Sequence, residues 1–549
     1  MKKRVALLVD NVLVSKQIYD LFKLSLKAKN YEITTILINE ISTHEKNLII
    51  RIILYIKTRG ILKFISSSLF RLLCWLESFV IKRFTKFNNF YSNFDLSKEN
   101  LDLIILKPDI LKDGFSYRYT NHDIKKIKDE NIDLIIRGGS GILKGEILNV
   151  CPGGVISFHH GDNDINRGGP PGFWEVYEQH PRTGFIIQRL TEELDGGDVL
   201  YKGFIQTSWF YSLNFVKLLE ISNPFFSIVL DDITSSESTL SPQSKNPYSH
   251  DLKTAPNLSQ IIFYVLKTLV IILRKSLRKL MRRRLHWGIA YQFIDDWKDS
   301  TLRKSIRIKN PKNRFLADPF LIRKAKTHYC YVEDFDFLDS KANISVFEIS
   351  KNGAKELGNA LTEDFHLSYP FLFKYNGELY MCPETHEKRE IRIYKCTEFP
   401  LKWEFQMTLM EDISAHDTNI FFHDDMWWLV TTIDHNENHD QVSKLCVFYS
   451  PNPLTKDWIP HEKNPVIFDP LKGRNGGLIK DSTGIYRVYQ RQGFDSYGKS
   501  LGVTKISKIS EKDYLEEDLF EIEPKFFKNI KGVHTYNYCK GLLVFDYLE

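Results

Sequence analysis

Residues 132–162 read IDLIIRGGSGILKGEILNVCPGGVISFHHGD. Two short apolar runs, Ile132–Arg137 and Val155–His159, are each bounded by glycines. Runs of that length with such punctuation are buried strands. Between them lie a Gly-rich loop, a short helical stretch and a Pro-Gly-Gly turn. Strands joined this way run parallel and belong to an α/β sheet. Ligands of open α/β sheets collect outside the carboxyl ends of the strands. Ser157, His159 and His160 therefore stand at a candidate site, and Asp162 and Arg167 follow in the polar segment GDNDINRGG.

Working outward, RVALLVD (4–10), YEITTILI (31–38) and Leu101–Leu106 extend the strand series, with helical spacing at Ser15–Lys29. Downstream, RLTEELDGGDVLYKG places Asp195 in a tight Leu-Asp-Gly-Gly turn before a strand at Val199–Lys202. Glycines there let the backbone carry a carboxylate close to a neighbouring loop.

This conjunction resembles the folate-dependent formyltransferases, whose pattern is Asn-x-His-Pro-Ser-x-x-Pro-x-x-Arg-Gly followed by Leu-Asp-(Gly/Thr)-Gly. The resemblance covers about residues 1–235. It implies a Rossmann-like formyltransferase domain and 10-formyltetrahydrofolate as co-substrate, with a primary amine as acceptor. It also implies catalytic roles for His159, Asp195 and Ser157, and a pterin-binding loop at Gly138, Gly139, Ser140, Gly141, Ile142 and Leu143. His160, Asp162 and Arg167 would face the acceptor. An imidazole held by a carboxylate can donate to an oxyanion and move a proton. Two departures stand out: Ser157 replaces the family's Asn, and a polar loop replaces Pro-Ser-Leu-Leu-Pro.

From about Phe315 the texture changes to short aromatic strands and Asn/Gly/Asp turns, and a repeat emerges. Asp318-Pro-Phe-Leu-Ile, Tyr369-Pro-Phe-Leu-Phe, Asp417-Thr-Asn-Ile-Phe and Asn475-Gly-Gly-Leu-Ile each open a hairpin, and a shorter copy opens at His534. Fifteen residues after the first two starts stand Glu333 and Glu384, and at the same offset stand Thr432 and Gln490. Five hairpin repeats of this period predict a five-bladed β-propeller. Asp318, Glu333, Glu384, Asp417, Asn475 and His534 would ring its axis and touch a glycan. Residues 305–549 resemble the propeller at the N-terminus of the plant glucosamine inositol phosphorylceramide transferases, itself similar to glycosidase propellers.

The fold class expected is thus an α/β formyltransferase (Rossmann-like) domain plus an all-β five-bladed propeller. The boundaries are 1–235 with a basic helical insertion at 45–90, 236–304 as linker and basic apolar helix, and 305–549. The insertion places Leu62, Ile65, Leu69, Leu72, Leu76 and Phe79 on one helical face. IIFYVLKTLVIIL (261–273) runs into RKSLRKLMRRR (274–284), seven of whose eleven residues are basic. Such segments suit an anionic membrane surface. The alternative is that they pack on the protein's own core.

The chain has 549 residues, 43% hydrophobic and 26% charged, as for a globular protein. A net charge of +6 is too small to argue for nucleic acid. Seven scattered cysteines show no metal spacing, so no metal site is expected. MKKRVALLVD lacks the features of a secretory signal, which points to the cytoplasm or the inner face of the membrane. The function expected is formyl transfer to an amino sugar in glycan synthesis. The alternatives are a glycosyl hydrolase or transferase built on the propeller, and a glycan-binding scaffold with a degenerate formyltransferase site.

Overall fold

The computed structural model describes residues 2–41, 53, 56–84, 87–238, 242–244, 246–281, 286–434 and 440–549. The first part of the expected insertion, including Arg51, and also Lys86 and Arg282–Arg284 of the basic runs lie outside the described residues. The chain divides into two compact units, Met1–Ser276 and Leu277–Glu549.

The first unit is built on strands β1 (Lys3–Val9), β2 (Tyr31–Asn39), β3 (Asp102–Leu106), β4 (Leu134–Arg137), β5 (Val155–His159), β6 (Arg182–Arg189) and β7 (Asp198–Gln206). They form one seven-stranded sheet in the order β7-β6-β5-β4-β1-β2-β3. The five strands from β3 to β5 are parallel, and β6 and β7 are antiparallel additions. Helices α1 (Lys16–Ser25), α2 (Ile61–Lys82), α3 (Asn121–Asp129), α4 (Phe173–Glu178), α5 (Tyr211–Ile233) and α6 (Leu258–Leu280) accompany it. Val5, Ala6, Leu7, Ile36, Leu37, Ile135, Val155 and Ile156 are fully buried. Their unbroken apolar runs follow from burial on both faces of a parallel sheet. The chain leaves β1 toward β2 on one side, while β4 lies on the other. The crevice at the carboxyl ends of β1 and β4 is therefore the switch point, flanked by Asp10, Gly138 and Gly139.

Among its described residues the second unit holds five antiparallel sheets. Four follow chain order: Arg314–Lys324 to Gly353–Leu361, Ser368–Tyr375 to Lys402–Glu411, Ala415–His423 to Ile467–Phe468, and Arg474–Asp481 to Tyr514–Ile522. The fifth joins Trp287–Phe293 and Ile306–Ile308 to the last two strands, Tyr536–Cys539 and Leu542–Leu548. The first strands of successive sheets pack on one another, and Tyr536–Cys539 packs back on Arg314–Lys324.

The repeat has a backbone cause. In each of the first four sheets a register shift falls at the repeat's polar start: Ala317/Phe320, Ser368/Phe371, His416/Asn419 and Asn475/Gly477. Asp318, Tyr369 and Asp417 all have φ near +50° there, with 47°, 46° and 50°. A bulge of this kind re-aims a side chain at the end of a strand.

The expected 236–304 linker needs correction at both ends. Residues around Lys253 strap the first unit: Lys253 N–H donates to the Arg167 carbonyl (2.8 Å) and its own carbonyl accepts from Gly169 N–H (3.2 Å). Trp287–Phe293 belongs to the fifth sheet, because the closing strand needs a partner on each side. Both apolar helices pack on the unit through Ser66, Glu77, Ile81, Ile261 and Tyr264, while Leu62, Ile65, Leu72, Leu76 and Phe79 are exposed.

Candidate functional site

Two clusters carry the polar groups singled out in the sequence. In the first unit, β5 ends at His159 and the turn before β7 presents Asp195, whose φ is +49°. The structure brings the two together, with His159 Nδ1 3.3 Å from Asp195 Oδ1. Asp195 Oδ2 accepts from Gly168 N–H at 3.0 Å. Burial lowers the His159 pKa, but the bond and charge of Asp195 outweigh it and the net shift is upward. Burial raises the Asp195 carboxyl, and His159 outweighs that in turn, leaving it below the usual range.

The other ring nitrogen of His159 is taken as well. Nε2 lies 2.9 Å from the Asn166 carbonyl, in a buried contact. Arg137, the last residue of β4, lies near the pair and interacts with the Asp195 charge. Its Nε donates to the Gly141 carbonyl (3.1 Å), as does its Nη2, and Nη1 donates to Ser157 Oγ (3.4 Å). The loop expected to receive a pterin is likewise engaged from within. Ser140 N–H donates to Asp10 Oδ2 at 2.7 Å, and Leu143 is buried in the sheet's core cluster with Ile147 and Tyr117. A side chain at Gly141 would meet the Tyr117 ring at 2.4 Å. Gly138 packs against Ile18, Gly139 lies against Asp10, and Ile142 pairs with Ser116. The amides of Gly138, Gly139, Ser140 and Ile142 and the carbonyl of Gly141 are thus bonded within the unit.

The remaining predicted groups of this unit are spread out. His160 stacks on Phe158, with ring centres 4.7 Å apart, and burial together with the His159 charge brings its pKa down to about 3. Asp162 and Asp164 both accept from Lys202 Nζ, at 2.5 and 2.6 Å. Arg167 donates to the Asn163 carbonyl and to Glu193 (2.8 Å), beneath the Tyr248 ring. Asn163, Asp164, Arg167, Glu193, Lys202 and Tyr248 border a polar cavity of about 300 Å³. Arg137 and Asn166 were missed. A charged residue closing the apolar run IDLIIR was the available signal for Arg137.

In the second unit the bulged strand starts converge on a buried network. Glu384 Oε1 lies 2.8 Å from His386 Nδ1 and 3.0 Å from His416 Nδ1. Its Oε2 accepts from Asp417 N–H (3.1 Å) and Arg474 Nη2 (3.2 Å). Arg474 Nε donates to Asp417 Oδ2 at 2.5 Å, and Gln490 donates to the same oxygen at 2.7 Å. Burial works to raise the Glu384 pKa, but His416 and Arg474 hold it well below the usual carboxylate range. Burial lowers both imidazoles. Glu384 outweighs it at His386, whose pKa is raised, and does not at His416, whose pKa is lowered. His386 is the partly exposed member of the set, and the Tyr497 ring, 40% exposed, covers Arg474 at 5.1 Å.

Asp318 and His534 form a second knot. His534 Nδ1 is 2.5 Å from Asp546 Oδ2, and its ring stacks on Trp287 at 3.8 Å. Asp318 accepts from Thr535 Oγ1 (2.6 Å) and from Tyr369 N–H (3.2 Å). Burial, reinforced by Glu333 and Asp546 and opposed by His534, pushes its pKa up to about 7. Both Asp318 oxygens are thus spent joining three sheets. Asn475 is spent the same way, donating to the Asp417 and Val430 carbonyls. Glu333 lies 3.4 Å from His366 Nε2.

The sequence offered no metal spacing, but two sets could hold an ion: Glu384, His386 and His416, and Asp318, His534 and Asp546. Within each set the ligand atoms lie within 4.8 Å of one another. Spacing rules miss such sets because one ligand of each, His416 or Asp318, comes from a different sheet than the other two. His366, His386, His416 and Arg474 were not singled out, although His416 and Arg474 each directly precede an aligned repeat start.

Residues 302–541 match the family described as glucosamine inositolphosphorylceramide transferase 1, N-terminal. The Arabidopsis thaliana glucosamine inositolphosphorylceramide transferase 1 is 34% identical over 234 residues, which is 41% of this chain and 29% of that protein. Its counterpart in Oryza sativa subsp. japonica is 35% identical over 211 residues, covering 38% and 28%. The chain therefore spans under a third of the curated relatives it matches.

Solved structures similar in fold include a family 117 glycoside hydrolase from Zobellia galactanivorans, with TM-score 0.33, 12% identity, and coverage of 48% of this chain and 90% of that one. They also include a phosphoribosylglycinamide formyltransferase from Bacillus halodurans, with TM-score 0.28, 12% identity, and coverage of 43% and 96%. A sugar N-formyltransferase from Shewanella gives 0.28 and 16%, covering 49% and 88%. These TM-scores carry no argument about activity.

The expected enzyme class is corrected here. The curated relatives are transferases named for glucosamine and inositolphosphorylceramide, not formyltransferases. The geometry of the first unit agrees, since His159 has no ring nitrogen left for an oxyanion.

Proposed function

We propose that the chain acts on a glycoconjugate in a sugar-transfer reaction. In this reading the five sheets of the second unit form a closed propeller that holds the sugar over its bulged strand starts. The observation that carries it is the Glu384–His386 pair, which stands on a fully engaged Glu384–Arg474–Asp417 base inside the matched region. His386 is the proton-moving group. Burial lowers its pKa, but Glu384 outweighs that and favours the protonated imidazole, which can donate to an oxygen that gains charge as a glycosidic or phosphate bond breaks. Glu384 holds that charge. Arg474 is a positioning residue, saturated by two carboxylates and the Gln441 carbonyl. The exposed Tyr497 ring offers a flat apolar face, the surface that suits a sugar ring.

The names of the relatives favour an amino sugar and an inositol phosphate headgroup as partners. The test uses the purified full chain with a panel of nucleotide-activated amino sugars and inositolphosphorylceramide in detergent, read by mass spectrometry. Transfer should occur, and Glu384→Gln or His386→Ala should lower it by about 10²-fold or more. No product with any pair, together with no saturation-transfer NMR signal from glucosamine or inositol phosphate, would refute the reading.

A further inference from the structure

We infer that helices α2 and α6 form a lipid-facing surface that seats the first unit in the plane of an anionic bilayer. The two helices are neighbours and are fixed in rotation by one buried polar junction. Glu77 of α2 accepts from Tyr264 Oη of α6 at 2.5 Å and from Ser212 N–H at 2.8 Å. Tyr264 in turn accepts from Tyr211 N–H at 2.8 Å. The inward faces thus carry Glu77 and Tyr264, with Ser66, Ile81 and Ile261. The outward faces carry the apolar residues.

On α2 these are Leu62, Ile65, Leu72, Trp75, Leu76 and Phe79, and Trp75 is 56% exposed. On α6 they are Ile262, Leu266, Leu269, Val270 and Leu273, all exposed and spaced as one helical stripe. This is the reverse of a surface helix of a globular protein, which buries its apolar stripe and leaves its carboxylates in water. In α2 only 17% of the most apolar 18-residue window is buried.

Charge decides the occupant. Across Ile61–Lys82 and Leu258–Leu280 the one acidic residue is the inward Glu77. Lys63, Arg71, Lys82, Arg274, Arg278 and Lys279 are basic, while Lys267 is held inward by the Tyr177 carbonyl at 2.7 Å. Two such faces would repel each other, whereas anionic headgroups attract both. Lysine and arginine stems can lie along the apolar stripe while their charges reach the headgroups. The surface lies on the bilayer rather than crossing it. The Glu77–Tyr264 junction ties both helices to the start of α5, and Arg71 stands exposed midway along α2.

The inference stands apart from the reaction and needs no activity to test it. The full chain is floated with vesicles of phosphatidylcholine alone, or with roughly 30% phosphatidylglycerol added. The expected result is flotation with the anionic vesicles, weakened by high salt. Two exposed-face variants, Leu72→Ser/Leu76→Ser/Phe79→Ser and Leu266→Ser/Leu269→Ser/Leu273→Ser, should each bind about tenfold or more weakly. Brominated lipid should quench the part of the emission that Trp75→Phe removes, a readout on the unaltered surface. Wild type left unbound by anionic vesicles, variants that float like wild type, or a lipid-free dimer that both variants dissociate would each overturn it.

Discussion

Substituting Arg474→Met removes the cation on which two buried carboxylates depend. Arg474 is 7% exposed, and its guanidinium bonds Asp417 at 2.5 Å, Glu384 at 3.2 Å and the Gln441 carbonyl at 3.0 Å. Methionine fills similar volume, so the loss is electrostatic rather than a cavity. Stranding one partner of a buried pair costs about 3–5 kcal/mol. Glu384 retains His386 and His416, so most of that cost falls on Asp417, left with Gln490 alone as a side-chain donor.

For a unit of this size about 3–5 kcal/mol lowers the melting temperature by roughly 6–20 °C. Tryptophan fluorescence follows it selectively, because six of the nine tryptophans lie in Leu277–Glu549. Burial already holds the Asp417 pKa well above the usual carboxylate range against the pull of Arg474; Asp417→Asn removes the stranded carboxyl, so the double variant should recover about 1–3 kcal/mol relative to the sum of the single changes. A melting temperature within about 2 °C of wild type for Arg474→Met would refute the reasoning. So would strict additivity of the two changes.

The His159–Asp195 pair makes a pH prediction. His159 has a raised pKa, so its stabilisation is complete below its unfolded pKa and fades as pH rises through the folded value. Asp195 has a lowered pKa, so its share is present above its unfolded pKa and fades as pH falls through the folded value. Stability from the pair should therefore peak between about pH 4 and 6.5. Histidine-selective NMR should show a His159 titration above the model-peptide value, and Asp195→Asn should bring it below. A titration that Asp195→Asn leaves unmoved rules the pairing out. Gly477→Ala places a methyl 2.5 Å from the Tyr536 carbonyl at φ +139°, whereas Gly353→Ala, at φ +135°, meets nothing within 4 Å. The first should destabilise the second unit by about 2–4 kcal/mol and the second by about 1 kcal/mol, read by thermal unfolding. Equal losses would mean that strain alone, not the close approach, matters.

Local pattern was enough for several elements, and the reasons are physical. IDLIIR and VISFH are buried strands because no other short element hides an unbroken apolar run between glycines. The hairpin repeat was visible because one bulge recurs at Asp318, Tyr369 and Asp417, with a shorter register shift at Asn475, and each opens a strand of the same residue types. The meeting of His159 with Asp195 was legible only through the formyltransferase resemblance, whose motif joins a strand-end imidazole to a carboxylate in a glycine turn.

Tertiary structure decided what those groups can do. Sequence order cannot show that Arg137 bonds the Gly141 carbonyl or that the Asn166 carbonyl meets His159, because both contacts depend on how loops fold across a sheet edge. Nor can it show that Glu384, beside its chain neighbour His386, gathers His416 and Arg474 from two further sheets, with partners up to 90 residues apart. The apolar faces of α2 and α6 have a period that fits a core or a bilayer equally well. Only the inward turn of Glu77 toward Tyr264, fixed by packing, points those faces out. Periodicity is a property of the chain, whereas direction and charge environment belong to the neighbours that folding supplies.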